Sequence, residues 1–456
     1  MGFAPSMTRP YNRPQSPPRS LPLFRRTTLD NGLRVVTTTM PTARSVSTAF
    51  FVGVGARHEA DRIQGASHFV EHMLFKGTRS RPTAKDVSVS IEQLGGILNA
   101  ETGKEVTVYW DKLSQRHWST SIELLADVLR NSLFQPEEVE KERAVIVEEL
   151  NMLFDSPVDW VHLLIDEAVW GDHPLGRDVG GTRESVMAMT RDDLVGYVER
   201  TYSPDNTVVA VAGPIEHEEI VARVRELLDD WRSQPPVEWQ PVPAGQVGPK
   251  FLLREKDTEQ AHVCLAMPGV PYHDPDRYAY DLLNVILGEG MSSRLFLELR
   301  EKRGLAYDVH SYVNRFRDTG SLVVYAGVDP GRALNTVETA LEELEKLRGG
   351  VPAEEVGRAK DFWKGRMELR LEETRSLASW LGSQELLLDR IYTLEDVVAH
   401  IDAVTHDDLV RVADTYLKRE LLNLAVIGPF EDDAPFRQFV TGAGKPGRSR
   451  STARRP

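Results

Sequence analysis

The chain has 456 residues, of which 41% are hydrophobic and 27% charged, and its formal net charge is −14. That length exceeds one compact core and implies two domains or more, and the acidic balance argues against a general nucleic-acid binder. The single cysteine, Cys264, excludes an intrachain disulfide and a thiolate cluster, so any bound metal must be held mainly by His, Asp or Glu.

The first 29 residues carry Arg9, Arg13, Arg19, Arg25 and Arg26 and no acid. A transit peptide would look similar. However, Pro10, Pro14, Pro17, Pro18 and Pro22 break the amphipathic helix that such a peptide needs. A disordered arm is expected over 1–25. No run approaches the roughly 18 apolar residues of a membrane helix, and there is no apolar leader core. The expectation is a cytoplasmic protein with no membrane or nucleic-acid partner, and the mitochondrial matrix is the alternative.

Strands are predicted at "GLRVVTTTM" and "VSTAFFVGVGA". Next comes "GASHFVEHMLFKGT", residues 65–78, which reads as a helix ending at Gly77. His68 and His72 are four residues apart and share one face, with Glu71 on their flank. Two imidazoles so placed can hold one zinc ion, and Glu71 is then positioned to take a proton from an attacking water. "GGILNAETGKEVTVYW" starts with two glycines and continues as an alternating strand.

"PEEVEKERAVIVEELNMLF", residues 136–154, is strongly helical. Glu142, Val145, Ile146 and Glu149 fall on one stripe, predicted to be buried. Carboxylates there need a partner, and a cation would serve. Glu148 lies about 100° round the helix from Glu149 and is expected to be exposed. Taken with the two histidines, the stripe points to Glu149 as third ligand and to Glu142 as an acid behind the ligands.

The first half closes on "MTRDDLVGYVERTYSPDNTVVAVAGPI" and the second on "VTHDDLVRVADTYLKRELLNLAVIGPF". Both read as a capped helix, a turn, a strand and Gly-Pro, which implies a duplicated domain. Several strands follow one another without an intervening helix. That favours an α+β fold of two homologous domains, each a largely antiparallel sheet packed with helices. The expected division is a metal-bearing domain over 26–232, a Pro/Gly-rich linker over 233–249, a metal-free domain over 250–440 and a basic tail over 441–456.

The inverted H-x-x-E-H order is that of the inverted zincins. With "LDNGLRVV", "ERAVIVEELNM" and "GMSSRLFLELREKRGLAY", the chain resembles the pitrilysin-type metallopeptidases from about Arg26 to Val440. The resemblance is greatest to half-length members such as the catalytic subunit of mitochondrial processing peptidase and bacterial processing-type proteases. It implies one zinc per chain on His68, His72 and Glu149, Glu71 as the base, and Glu142 as the acid seven residues before the third ligand. It further implies Arg300 and Tyr307 near the substrate, Asn99 and Ala100 on a strand edge that pairs with a peptide backbone, and a clam-like chamber. Two-domain chains would have to pair to form that chamber, as a homodimer or with a homologous subunit. Processing of presequences and degradation of short peptides are both open. The rival readings are a non-catalytic partner subunit of the same family and a peptide- or metal-binding module.

Overall fold

The computed structural model describes residues 24–243 and 249–441. All of the expected tail but Thr441, which ends the helix Ala434–Thr441, and all but the last two residues of the expected arm lie outside these residues. The last two, Phe24 and Arg25, belong to the first strand, β1 (Phe24–Thr28). Pairing with β2 (Arg34–Thr39) takes up backbone that was expected to be free.

The first sheet continues with β3 (Ser45–Val52), β4 (Ile97–Thr102), β5 (Thr107–Ser114) and β6 (Thr207–Gly213), in the order β1-β2-β6-β3-β5-β4. Only the β2–β6 pair is parallel. The second sheet comprises β7 (Lys250–Glu255), β8 (Ala261–Gly269), β9 (Ala306–Arg315), β10 (Gly320–Val328) and β11 (Asn423–Gly428), in the order β7-β11-β8-β10-β9. Here β7–β11 is the parallel pair. From β2 and β7 onward the two orders correspond strand for strand, as a duplication requires. The two closing helices also match. Thr190 and Thr405 each accept the amide of the residue three positions on, Asp193 and Asp408, and those aspartates bond back to the cap.

One face of each sheet packs on helices of its own half. The helix that covers the other face comes from the opposite half. Label the helices Ala66–Leu74 (α1), Pro136–Asp155 (α2), Pro157–Trp170 (α3) and Thr374–Leu388 (α4). From α3, in the first half, Val161, Leu164, Ile165 and Ala168 pack on Cys264, Ala266, Val323 and Ile427 of the second sheet. From α4, in the second half, Leu381 and Leu386 pack on Phe51, Trp110, Val208 and Ala210 of the first sheet. The approach is close enough that a Cβ on Gly382 would stand 2.1 Å from the Phe51 ring. Neither half covers both faces of its own sheet. Expressed alone, residues 24–232 should therefore give aggregated protein with no cooperative melt, and co-expression with 250–441 should restore a soluble complex. Circular dichroism and size-exclusion chromatography check this; a sharp melt from the isolated half would contradict it.

Arg57 adds a polar tie between the halves. Its side chain is fully buried, pairing with Glu105 at 2.6 Å and with Asp318 of the β9–β10 turn at 2.7 Å. It also donates to the Gln240 carbonyl at 2.9 Å and lies 4.2 Å from the centre of the Trp239 ring. Removing one member would strand a buried charge, and that is the costly way to break such a network. Among the described residues no helix is long and apolar enough to cross a membrane.

Candidate metal centre

α1 begins at Gly65, whose φ of +90° suits glycine. A Cβ there would also meet the Gly180 carbonyl oxygen at 2.3 Å. The buried Glu59 carboxylate accepts the amides of Gly65 and Ser67, both at 2.7 Å, satisfying donors that a helix start leaves free. Burial nonetheless pushes this carboxyl up to about 7, against the pull of those hydrogen bonds. Ala66, Phe69, Val70, Met73 and Leu74 face the core, which turns His68, Glu71 and His72 outward along one stripe. The helix ends at Leu74, with Phe75 as its C-cap, and does not run on to Gly77. The amides of Phe75 and Lys76 reach back three residues to the His72 and Met73 carbonyls, closing the helix early.

α2 forms as expected, but its buried stripe differs from the predicted one. Glu142 and Ile146 are buried, whereas Val145 and Glu149 are exposed. The buried face runs through Val139, Glu142, Arg143, Ile146, Val147 and Leu150, and Glu149 stands beside its edge. Glu148 is exposed, as expected.

Ligand atoms of His68, His72 and Glu149 lie within 4.8 Å of one another. Glu149 Oε2 is 3.8 Å from His68 Nε2 and 3.5 Å from His72 Nε2. Tetrahedral zinc with bonds of 2.0–2.2 Å sets its ligand atoms about 3.3–3.6 Å apart, so these residues fit zinc with little adjustment. The tautomer fits as well. Burial raises the Glu142 carboxyl, but hydrogen bonds from His72 and Lys76 prevail and hold it below its ordinary value. Glu142 is therefore an acceptor, and His72 Nδ1–H donates to it at 3.0 Å. That leaves a lone pair on His72 Nε2. Lys76 Nζ lies 2.7 Å from the other Glu142 oxygen. Burial, together with the neighbouring His72, brings His68 down to about 4, which keeps it neutral and able to ligate. The Glu149 side chain is 45% exposed, so the centre opens to solvent as a catalytic site must and a closed structural zinc site does not.

Glu71 is not among the converging ligands. Its Oε2 accepts a hydrogen bond from Thr102 Oγ1, at the end of β4. Burial raises this carboxyl above its ordinary value, opposed first by the Thr102 hydrogen bond. β4 is the outermost strand of its sheet, so one backbone edge is open. Asn99 and Ala100 lie on it, with the Ala100 amide donating to Asn99 Oδ1 at 2.8 Å. Arg300, on the π-helix Phe296–Lys302, has its guanidinium 4.9 Å from the centre of the Tyr307 ring at the start of β9. Among the described residues no hydrogen bond or ion pair links Arg300 or Tyr307 to His68, Glu71, His72 or Glu149. Glu59 and Thr102 were not singled out in the sequence. Neither stands at a helical spacing from the histidines, so periodicity carries no signal for them.

Comparison with known proteins places the chain in a family. The model of "Insulinase (Peptidase family M16)" matches residues 34–183, and that of "Peptidase M16 inactive domain" matches 188–362. The chain is 40% identical to an uncharacterized zinc protease of Streptomyces coelicolor, over 90% of each chain. It is 37% identical to one of Bacillus subtilis, covering 89% of this chain and 98% of that one. A protease from Helicobacter pylori superposes with a TM-score of 0.85 at 25% identity, covering 90% of this chain and all of that one. Two matched domains, zinc-protease relatives over nearly the full length and an inverted His-Glu-His centre lead to one conclusion: the chain belongs to the pitrilysin-type M16 metallopeptidases.

Proposed function

We propose that this chain is a zinc-dependent endopeptidase acting on extended peptides or protein segments, with His68, His72 and Glu149 as its metal ligands. The observation that carries this reading is the convergence of two imidazoles and a carboxylate beside a second glutamate that does not join them. When bound, zinc polarises the scissile carbonyl and acidifies the attacking water. Glu71 receives the proton and passes it to the leaving amine. Glu142 holds His72 in its ligating tautomer. Asn99 and Ala100 pair with the substrate backbone along the open edge of β4, the sequence-tolerant mode of strand addition. Arg300 and Tyr307 donate hydrogen bonds to the developing oxyanion. We assign them to the centre of a second copy in a homodimer enclosing the chamber, since both are exposed and, among the described residues, neither bonds to the candidate ligands of its own chain. The similarity to bacterial zinc proteases favours a bacterial compartment over the mitochondrial matrix.

A non-catalytic subunit is the competing reading. One fold neighbour, a structure of Candida albicans complex III, superposes with a TM-score of 0.79 at 20% identity. The complete donor set argues against this role here, because a subunit without chemistry has no use for a base beside three ligands. Elemental analysis with a peptide-cleavage assay decides. Purified protein should carry about one zinc per chain, lose cleavage on chelation and regain it when zinc is returned. His68→Ala, His72→Ala and Glu149→Gln should lose metal, and Glu148→Gln should keep it. Full zinc in Glu149→Gln would reassign the third ligand.

A further inference from the structure

We infer that Thr102 is a positioning residue for Glu71, locking the base in the rotamer that leaves one oxygen free for the attacking water. This inference rests on the peptidase reading above. Thr102 Oγ1 donates to Glu71 Oε2, and among the described residues it is the only hydrogen bond that Glu71 receives. The Glu71 side chain projects from the outward stripe of α1, clear of the core-facing residues of that helix. A long carboxylate with a single donor has its orientation set by that donor.

The donor itself is firmly held. Thr102 is the last residue of β4 and pairs with Thr107 of β5. In the hairpin that follows, Gly103 N–H donates to the Val106 carbonyl at 2.8 Å. The Gly103 and Lys104 carbonyls accept from Ala56 at 3.2 Å and Arg57 at 2.8 Å. Glu105 is gripped by Arg57 and accepts the Arg317 amide on both oxygens at 3.2 Å. The Thr102 hydroxyl is thus presented from a hairpin pinned by both halves of the chain. It also terminates the strand whose edge carries Asn99 and Ala100. A substrate strand laid along β4 and the base that attacks it therefore share one rigid element, which is how a reacting group is kept in an attack geometry.

The test compares Thr102→Val with Thr102→Ser. Valine keeps the shape and the strand preference and removes the hydroxyl, whereas serine keeps the hydroxyl and loses strand preference. If the hydroxyl positions Glu71, Thr102→Val should keep full zinc and an unchanged KM while kcat falls on the order of 10²-fold, and Thr102→Ser should restore most of kcat. A packing role gives the opposite order, with valine tolerated and serine impaired. Thr102→Ala removes the same hydroxyl without added bulk should the valine variant fail to fold. Crystal structures supply a readout independent of turnover. Glu71 should occupy one rotamer in wild type and Thr102→Ser, and several in Thr102→Val or Thr102→Ala. A single unmoved Glu71 rotamer without the hydroxyl, or a kcat within twofold of wild type in Thr102→Val, overturns the inference. Failure of the zinc-loaded wild type to cleave any peptide would instead overturn the peptidase reading, and the rotamer comparison would still decide the role of Thr102.

Discussion

Glu71→Gln should retain its full zinc content and lose nearly all turnover. Zinc should stay because the converging atoms belong to His68, His72 and Glu149, and Glu71 is not one of them. The tautomer of His72 is set by Glu142, which the substitution does not touch. Turnover should fall because glutamine has the size of glutamate but cannot accept a proton. Removing a positioned general base costs about 10²–10⁴ in rate. The fold should be unaffected, because glutamine is as good a helix former as glutamate and its carbonyl can still accept from Thr102. Metal analysis and single-turnover cleavage of a fluorogenic peptide check the two halves. The variant should also bind peptide as tightly as wild type and act as a trap for it. Cleavage within tenfold of wild type would remove Glu71 from the mechanism. Loss of zinc would make it a ligand.

The convergence of the candidate ligands was legible in the sequence because it depends on local periodicity. His68 and His72 are one helical turn apart, and seven residues place Glu142 and Glu149 on the same stripe of a second helix. The exposure of Glu149 and Val145 was not legible. A 3.6-residue period marks candidate stripes but not which one faces the core, and the buried face runs through Val139, Glu142, Arg143, Ile146, Val147 and Leu150, rotated away from Val145 and Glu149. The exchange of α3 and α4 was illegible for a related reason. Their apolar residues announce a buried face without saying which sheet covers it, and each finds its sheet in the opposite half of the chain. Thr102 and Glu59 meet α1 through contacts fixed by β-hairpin and loop geometry, whose spacing follows no helical or strand repeat. The duplicated architecture was visible because the caps at Thr190 and Thr405 and the strands after them are written in similar residues.

Tyr307→Phe should also be nearly inactive while keeping zinc, and its partial rescue should show where the active site is assembled. Tyr307 is 75% exposed, and Arg300 beside it is exposed as well. Neither side chain supports a core, so loss of the phenol oxygen should leave the fold unharmed. A tyrosine so exposed on a single chain, stacked with an arginine and unconnected to the zinc ligands, has a use if a second copy brings its own centre to it. Losing one oxyanion donor should cost on the order of 10²–10³ in turnover. Mixing Glu71→Gln chains with Tyr307→Phe chains under exchange then separates two arrangements. If Tyr307 serves the other copy, each mixed dimer contains one centre with an intact Glu71 from one chain and an intact Tyr307 from its partner. With random exchange half the dimers are mixed and half their centres are whole, so activity should approach roughly a quarter of wild type. If both residues act within one chain, every centre in the mixture lacks one of them and activity stays at the level of the single variants. Mass spectrometry of differently tagged chains confirms that mixed dimers have formed. Their presence without recovered activity would rule out the shared centre and place Tyr307 beside the zinc of its own chain.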